Sequence, residues 1–218
     1  MAVSGSKNFE IDVVEAIEEA YERCGVDPRA GYQYKTARRS LNLMLAEWAN
    51  RGVNLFTIDQ VTTTLTQGTA NYTLGPETID VLEVVLRRSG TDTTVSRMSR
   101  ADYLNIPTKT TEGRPSQFYI DRQVNPVMYL WQTPENSTDQ IIYYRLVRID
   151  DADTYVNTFD VPFRFYPCLV AGLAYYLSMK IAPDRVALLK SVYDEEFSRA
   201  ATEDRDRTNL RLVPRIIA

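Results

Sequence analysis

The sequence predicts an α+β protein: a four-helix domain made of N- and C-terminal helices, an inserted antiparallel β domain and an extended C-terminal arm. Two observations predict it. Near both ends of the chain, apolar residues recur at the three- and four-residue steps of a helix. In the middle they alternate with polar residues, as in strands. The predicted boundaries are residues 1–56 and 161–207 for the helical domain, 57–160 for the β domain and 208–218 for the arm.

Two helices are predicted before the β region. The first is "IDVVEAIEEAYERCG", where apolar side chains share one face and Gly25 suits a helix C-cap. The second is "TARRSLNLMLAEWANRG", in which Leu41, Leu45 and Trp48 share a face. Its Arg38-Arg39 pair lies near the helix start, where cations are mildly unfavourable. The pair is therefore either an ordinary surface feature or the contact of an outside partner.

Four glutamates of the first helix fall at positions i, i+3, i+4 and i+7 and form one acidic stripe: Glu15, Glu18, Glu19 and Glu22. An ordinary solvent face would have this pattern. So would a surface that repels DNA inside a channel.

The middle of the chain contains several predicted strands. "VTTTLTQGTANYTLG" indicates a hairpin that turns at Gln67-Gly68. "DVLEVVLRR" and "DTTVSRM" are the next two strands, and "SRADYL" is a short helical turn. Three more strands are "QFYIDR", "VMYLWQ" and "QIIYYRLVRI". Their tyrosines suit either the core or an interface: Tyr119, Tyr129, Tyr143 and Tyr144.

Helix returns after the strands. "FRFYPCLVAGLAYYLSMKIA" is apolar nearly all round, which predicts a buried helix. "PDRVALLKSVYDEEFSRAATEDR" is the last helix, with Pro183 and Asp184 suited to its first turn. Between the strands and these helices, the "DDAD" run, Asp150 to Asp153, lacks the glycine and glutamate of an EF-hand loop. We expect a solvated acidic loop there.

Composition excludes several classes of catalytic site. The 218 residues include no histidine, which removes Ser-His-Asp triads, Cys-His pairs and histidine metal sites. The glycines form neither GxGxxG nor GxxxxGK[ST], so no phosphate-binding loop is expected. We therefore predict that the protein is not an enzyme and uses no cofactor or metal. A hydrolase with two catalytic carboxylates, such as one that degrades cell wall, stays open as an alternative, because that chemistry needs no histidine.

Charge and cysteine content set further limits. The net charge of -4 argues against a surface that binds nucleic acid throughout. Cys24 and Cys168 are expected as buried thiols in a reducing compartment. The N-terminus shows no signal peptide, and the run "CLVAGLAYYL" is half the ~20 residues that span a bilayer. We expect a soluble protein with no membrane partner.

The C-terminal arm combines apolar residues with arginines. Leucines alternate with polar residues in "NLRLV", and Pro214 excludes a helix or a central strand position. Burying five aliphatic side chains would contribute on the order of 8–15 kcal/mol, whereas ordering about ten residues costs roughly 10–20 kcal/mol. Main-chain hydrogen bonds return about 0.5–1.5 kcal/mol each. The free energy of docking one arm is therefore close to zero, but many arms in a ring bind effectively. Docking of the arm on its own sheet is the alternative.

Four segments together resemble a known family: "AEWANRGVNLFTIDQVTTTLTQGTANYTLGPETIDVLEVVLR", "PFRFYPCLVAGLAYYLSMKIAP", "YDEEFSRAATEDRDR" and the ending "LRLVPRI". Their order resembles that of the head-to-tail adaptors of short-tailed bacteriophages, also called connector or tail tubular protein A. The resemblance covers nearly the whole chain. The likeness lies in the order of the segments and in their pattern of apolar and polar residues, and it includes no catalytic motif.

The resemblance implies a structural protein of the virion's neck or tail, made in the cytoplasm of the host bacterium. Such adaptors form a dodecameric ring that joins the capsid portal to the tail nozzle and continues the DNA channel. Their C-terminal segment contacts the portal, which makes seven residues portal-binding candidates here: Arg205, Arg207, Asn209, Leu210, Leu212, Pro214 and Ile216.

The resemblance also implies roles for the rest of the chain. The β domain becomes a candidate contact for the nozzle and the tail fibres. The acidic stripe becomes a candidate lining of the channel, through which genomic DNA passes without specific binding. Another neck or tail-completion protein, at a different level of the tail, stays open as an alternative.

Overall fold

The computed structural model describes residues 9–29, 31–52 and 55–205, without the side chain of Leu55. The chain divides into two compact units, one of residues 1–56 with 150–218 and one of residues 57–149. The described residues form five α-helices: α1 (Val13–Cys24), α2 (Gly31–Arg51), α3 (Arg100–Asn105), α4 (Tyr166–Ile181) and α5 (Val186–Glu203). The mixed α+β class is confirmed.

Nine strands occur in the described residues, all in the second unit: β1 (Ile58–Thr64), β2 (Asn71–Thr73), β3 (Thr78–Arg88), β4 (Thr91–Arg97), β5 (Glu112–Gly113), β6 (Gln117–Asp121), β7 (Val127–Trp131), β8 (Thr133–Pro134) and β9 (Gln140–Val147). Seven form one sheet in the order β1-β9-β3-β4-β6-β7-β2, and β5 pairs with β8.

Both ends of α1 are fixed by their sequence. The carboxylate of Asp12 accepts the backbone N–H of Glu15 at 2.8 Å, and the carboxylate of Glu15 accepts that of Asp12 at 3.1 Å. This reciprocal capping box satisfies two N–H groups at the helix start. The C-cap predicted at Gly25 is confirmed, because this residue has φ 77° and donates to carbonyls of the last turn.

Helix α4 is the centre of the first unit. Its residues from Cys168 to Ala174 are all buried, so the predicted burial of this helix is confirmed. Helices α1, α2 and α5 pack against it. Gly172 permits this close packing, because an added Cβ would lie 2.7 Å from Cε2 of Tyr193 and nearer still to Sδ of Met44.

A buried hydrogen-bond chain joins α2 to α5. The indole N–H of Trp48 donates to the hydroxyl of Tyr193 at 2.8 Å, and that hydroxyl donates to Glu47 at 3.1 Å. Burial raises the pKa of Tyr193 strongly, so the hydroxyl keeps its proton and can donate. The indole nitrogen of Trp48 and the hydroxyl of Tyr193 are thus both hydrogen-bonded within the aromatic core of the unit.

Two predictions for the β unit are wrong in detail. The segments around Gln67-Gly68 do not form a hairpin, because β1 pairs with β9 and β2 pairs with β7. The sheet is not wholly antiparallel, because β4 and β6 run parallel. Residues 98–116, which include α3, provide the long crossover that parallel neighbours require. The antiparallel pairing of β3 with β4 is confirmed.

One apolar cluster fills the core of the β unit. Its buried members come from strands and their flanking residues: Leu65, Leu74, Val81, Val84, Leu86, Val95, Phe118, Ile120, Met128, Leu130, Ile141 and Tyr143. At one end of β3, Arg88 donates to the buried carboxylate of Asp139 at 2.6 Å and also pairs with Glu135 at 2.8 Å. The buried charge is therefore neutralised in place.

Residues 150–160, predicted to belong to the β domain, group with the first unit. They form no strand, and they bond to neighbours within that unit instead. The backbone N–H of Ala152 donates to the side chain of Asn42 at 2.9 Å, and Asp12 forms a β-bridge with Thr158. In the part of the chain that the structure describes, no helix is long and apolar enough to cross a membrane.

We predict that Gly172→Val lowers the free energy of unfolding by about 1–3 kcal/mol, because the added side chain forces Met44 and Tyr193 apart. Urea denaturation measures the loss. Ala46→Val is the matched control, because Ala46 is an exposed position of α2 and its change should stay within about 0.5 kcal/mol. Equal midpoints for the two variants would contradict the packing described for α4.

We also predict that neither thiol reacts in the folded protein. Cys24 and Cys168 are free and buried, and burial raises the pKa of Cys168 to about 12. Since the thiolate is the reactive form, maleimide at neutral pH should label both residues only after denaturation. Rapid labelling of either cysteine in native buffer, detected by mass spectrometry, would contradict this burial.

Candidate docking surfaces

The acidic stripe predicted on α1 lies on the outside of that helix. Glu15, Glu18 and Glu22 are exposed and Glu19 is half-buried. Glu19 pairs with Arg23 at 2.8 Å, and Glu18 accepts the hydroxyl of Tyr34 at 2.8 Å. That hydrogen bond raises the pKa of Tyr34. Whether the stripe lines a channel stays a prediction.

The stripe borders a groove between α1 and the first turns of α4. Glutamates and Arg23 line one part of it, with Glu10 extending the stripe. Apolar residues line the other part: Ile11, Tyr166, Pro167 and Val170. A mixed lining of this kind suits a ligand that has both cationic and aliphatic side chains. Helical spacing found the four glutamates of α1 but not Glu10, which precedes the helix. The apolar lining that α4 supplies was not found, because it is far from α1 in sequence.

An ion pair fixes the end of α5. The carboxylate of Asp204 bonds to the guanidinium of Arg164, which directly precedes the buried Phe165. The Asp204 side chain is only 4% exposed, whereas the Arg164 side chain is 31% exposed, so the buried member of the pair is the carboxylate. Arg205 follows and is exposed. The other six portal-binding candidates lie outside the described residues: Arg207, Asn209, Leu210, Leu212, Pro214 and Ile216.

Side-chain contacts define the relative directions of three long helices of the first unit, α1, α4 and α5. The rings of Phe9 and Phe163, which precede α1 and α4, lie 6.1 Å apart. The thiol of Cys24, at the C-terminal end of α1, donates to the carbonyl of Ala174 in the middle of α4 at 3.4 Å. Helices α1 and α4 therefore begin at the same end, and α5 returns to that end through Asp204. The last described residues of the chain, Asp204 and Arg205, thus lie at the end where the groove begins.

The β unit has a cluster of three tyrosines. Tyr103 of α3 lies 5.4 Å from Tyr119 of β6 and 5.3 Å from Tyr129 of β7, measured between ring centroids. The ammonium of Lys109 lies 5.4 Å from the Tyr103 ring centroid. All three rings are half-buried, and Leu104 beside them is 72% exposed. The sequence pattern singled out Tyr119 and Tyr129 but not Tyr103, because nothing in the sequence shows which strands α3 packs against.

A second groove lies on the sheet of the β unit. Its lining includes Leu82, Val85, Ile142 and Tyr144, with Gln60 donating to the Tyr144 hydroxyl at 3.2 Å. Tyr144 is 41% exposed, whereas its neighbour Tyr143 is buried in the core. Tyr143 therefore has the predicted core position, and Tyr144 lies exposed on the other face of the same strand.

One arginine of the predicted pair, Arg38, contacts the acidic loop. Arg38 donates to the backbone carbonyl of Asp153 and lies 5.5 Å from the Tyr155 ring centroid. Asp153 also accepts from Asn157 at 2.7 Å. No group of three or more metal-ligating side chains occurs within the described ranges. Arg38 thus holds the loop in place, and Arg39 is exposed.

A comparison with family models decides what kind of protein has these surfaces. The model of the SU10 adaptor protein family matches residues 12–215, which is nearly the whole chain. The chain belongs to the SU10 adaptor protein family. A search of curated proteins finds no match.

Membership gives the broad function of this SU10 adaptor. It is a structural adaptor protein of a bacteriophage, located in the virion and associated with other phage head or tail proteins. The resemblance found in the sequence is confirmed to this extent. The short-tailed phage connector type, the ring and the individual partners stay predictions.

We predict that Arg164→Ala destabilises the end of α5 in this SU10 adaptor. The change leaves the buried Asp204 carboxylate without its arginine, which costs about 1–3 kcal/mol. Hydrogen exchange of the last turn of α5 and urea denaturation measure the effect. Asp204→Asn in the same background removes the buried charge and should recover part of the loss. No change in either measurement would show that the pair does not hold this end of the helix.

Proposed function

We propose that this adaptor forms a ring that joins the capsid portal to the tail nozzle and continues the DNA channel. In this proposal residues 208–218 fasten each copy to the portal. The observation that carries it is the ion pair between Arg164 and Asp204, which fixes the point from which an apolar, arginine-rich segment leaves the helical unit. The family match supports the same class of function.

The energetics of the segment support a ring. For a single segment, the free energy gained by burial nearly equals the entropy cost of ordering the chain, so one copy would bind the portal weakly. In a closed ring each bound segment raises the effective concentration of its neighbours, and the combined affinity rises steeply. A dodecamer, the symmetry of similar connectors, would therefore bind firmly through contacts that are individually weak.

The β unit is the proposed contact for the tail nozzle and tail fibres. Its tyrosine cluster and sheet groove supply amphipathic rings and apolar side chains, which are common in protein interfaces. The acidic stripe is proposed to face the channel, where like charge would keep genomic DNA from binding. Another neck or tail-completion protein would use the same kinds of surface with different partners.

The hydrolase alternative gains no support from the carboxyl groups with clear pKa shifts. A glycosidase needs one acid with a raised pKa. Hydrogen bonds lower the pKa of Glu77, Asp92 and Asp102 instead. These shifts suit structural ion pairs and helix caps.

We predict that deleting residues 208–218 abolishes binding to the portal protein, because the proposed contacts lie in that segment. Co-sedimentation of the adaptor with assembled portal rings measures binding. A variant of full length, Leu210→Asn with Leu212→Asn and Ile216→Asn, should lose binding as well. Urea denaturation should show unchanged folding for both.

The same experiment can contradict the proposal. Retention of portal binding by the deletion variant would overturn the role of the segment. Images of virions would then show whether the adaptor lies at another level of the tail, as a different neck protein would.

A further inference from the structure

The groove between α1 and α4 has acceptors left for a ligand. Glu22 is exposed, and its side chain makes no hydrogen bond or ion pair with any described residue. Glu18 has a single described partner, the hydroxyl of Tyr34, and an ionised carboxylate can accept several donors. Tyr166 and Pro167 add accessible apolar surface beside these carboxylates.

The C-terminal segment of the chain has the complementary chemistry. Residues 206–218 include three arginines separated by aliphatic residues, "DRTNLRLVPRIIA". The arginines match the carboxylates of the groove, and the aliphatic side chains match its apolar lining. The alternation of the two kinds of residue in the segment suits a surface that offers both in adjacent rows.

The segment also begins close to the groove. Asp204 is held by Arg164, and the neighbouring ring of Phe163 lies 6.1 Å from the ring of Phe9. Phe9 precedes Glu10, the first glutamate of the groove. Described contacts therefore run from Asp204, two residues before the segment, to the edge of the groove. Thirteen extended residues reach up to ~43 Å, whereas α1 is about 18 Å long.

We infer that residues 206–218 dock, in the free adaptor, into the groove between α1 and α4 of their own chain. Docking covers the aliphatic side chains that the portal would otherwise receive, and the portal ring displaces them from the groove. The docking itself does not depend on portal binding; only this protective role rests on the proposed function. A groove filled by the segment of a second copy is the competing arrangement.

Limited proteolysis of the full-length adaptor tests the inference. Trypsin cleaves after Arg211 only when the segment leaves the groove, and the rate follows the undocked population. In the variant Glu18→Gln with Glu22→Gln, cleavage should be roughly two- to thirtyfold faster, which corresponds to the loss of two exposed ion pairs. Mass spectrometry follows the product that ends at Arg211.

A matched control removes two charges elsewhere. Asp194→Asn with Glu195→Gln lies on the exposed face of α5 and should leave the cleavage rate unchanged. Added salt should accelerate cleavage of the wild-type adaptor and of the control, but change the groove variant little. Urea denaturation checks that all variants are folded.

The outcomes separate the possible occupants. A rate that is independent of adaptor concentration supports docking within one chain. A rate that falls as concentration rises would assign the groove to a second copy and overturn the inference, as would equal rates in the wild type and the groove variant. No portal protein is present, so failure here is distinct from failure of the portal-binding experiment.

Discussion

The helical unit depends on the burial of α4. This helix is apolar on nearly every side, so it is stable in water only when other helices cover it. Helices α1, α2 and α5 cover it, and Gly172 allows α2 and α5 to approach α4 closely. Because the covering helices turn their apolar faces inward, their charged faces must point outward. The acidic stripe of α1 is a direct consequence.

The same packing determines where the chain leaves the unit. Helix α5 begins just after α4 and packs along it, so it ends near the start of α4. Arg164 and Asp204 meet there, although 40 residues separate them. The position of Asp204, the last residue that the helical core holds, is therefore a property of that core, and a change in the core that moved α5 would move Asp204 with it.

Periodicity predicted most elements but not their partners. The buried nature of α4 followed from its composition, and Ser99 with Asp102 marked α3 correctly through a capping box. The alternation around Gly68 showed strands but not that β1 and β2 belong to different neighbours, since a two-residue period carries no information on pairing. Residues 150–160 were misassigned because their contacts are made by isolated hydrogen bonds, which leave no pattern in the sequence.

The candidate surfaces show the same limit. Four of the five glutamates of the groove lie on α1, where helical spacing found them, whereas Glu10 precedes the helix. Tyr166, Pro167 and Val170 come from another helix, and Tyr103 joins Tyr119 only through the crossover that α3 makes. Sites assembled from distant segments depend on topology, which local patterns in the sequence do not specify.

A segment that is nearly neutral in free energy can serve two partners in succession. If docking on its own chain were strong, the portal could not displace it, because a competing ligand shifts an equilibrium only by its difference in affinity. If docking were absent, the aliphatic side chains would be exposed during assembly, which favours aggregation. Weak docking within one chain and firm binding in a ring satisfy both conditions, because only the ring multiplies the individual contacts.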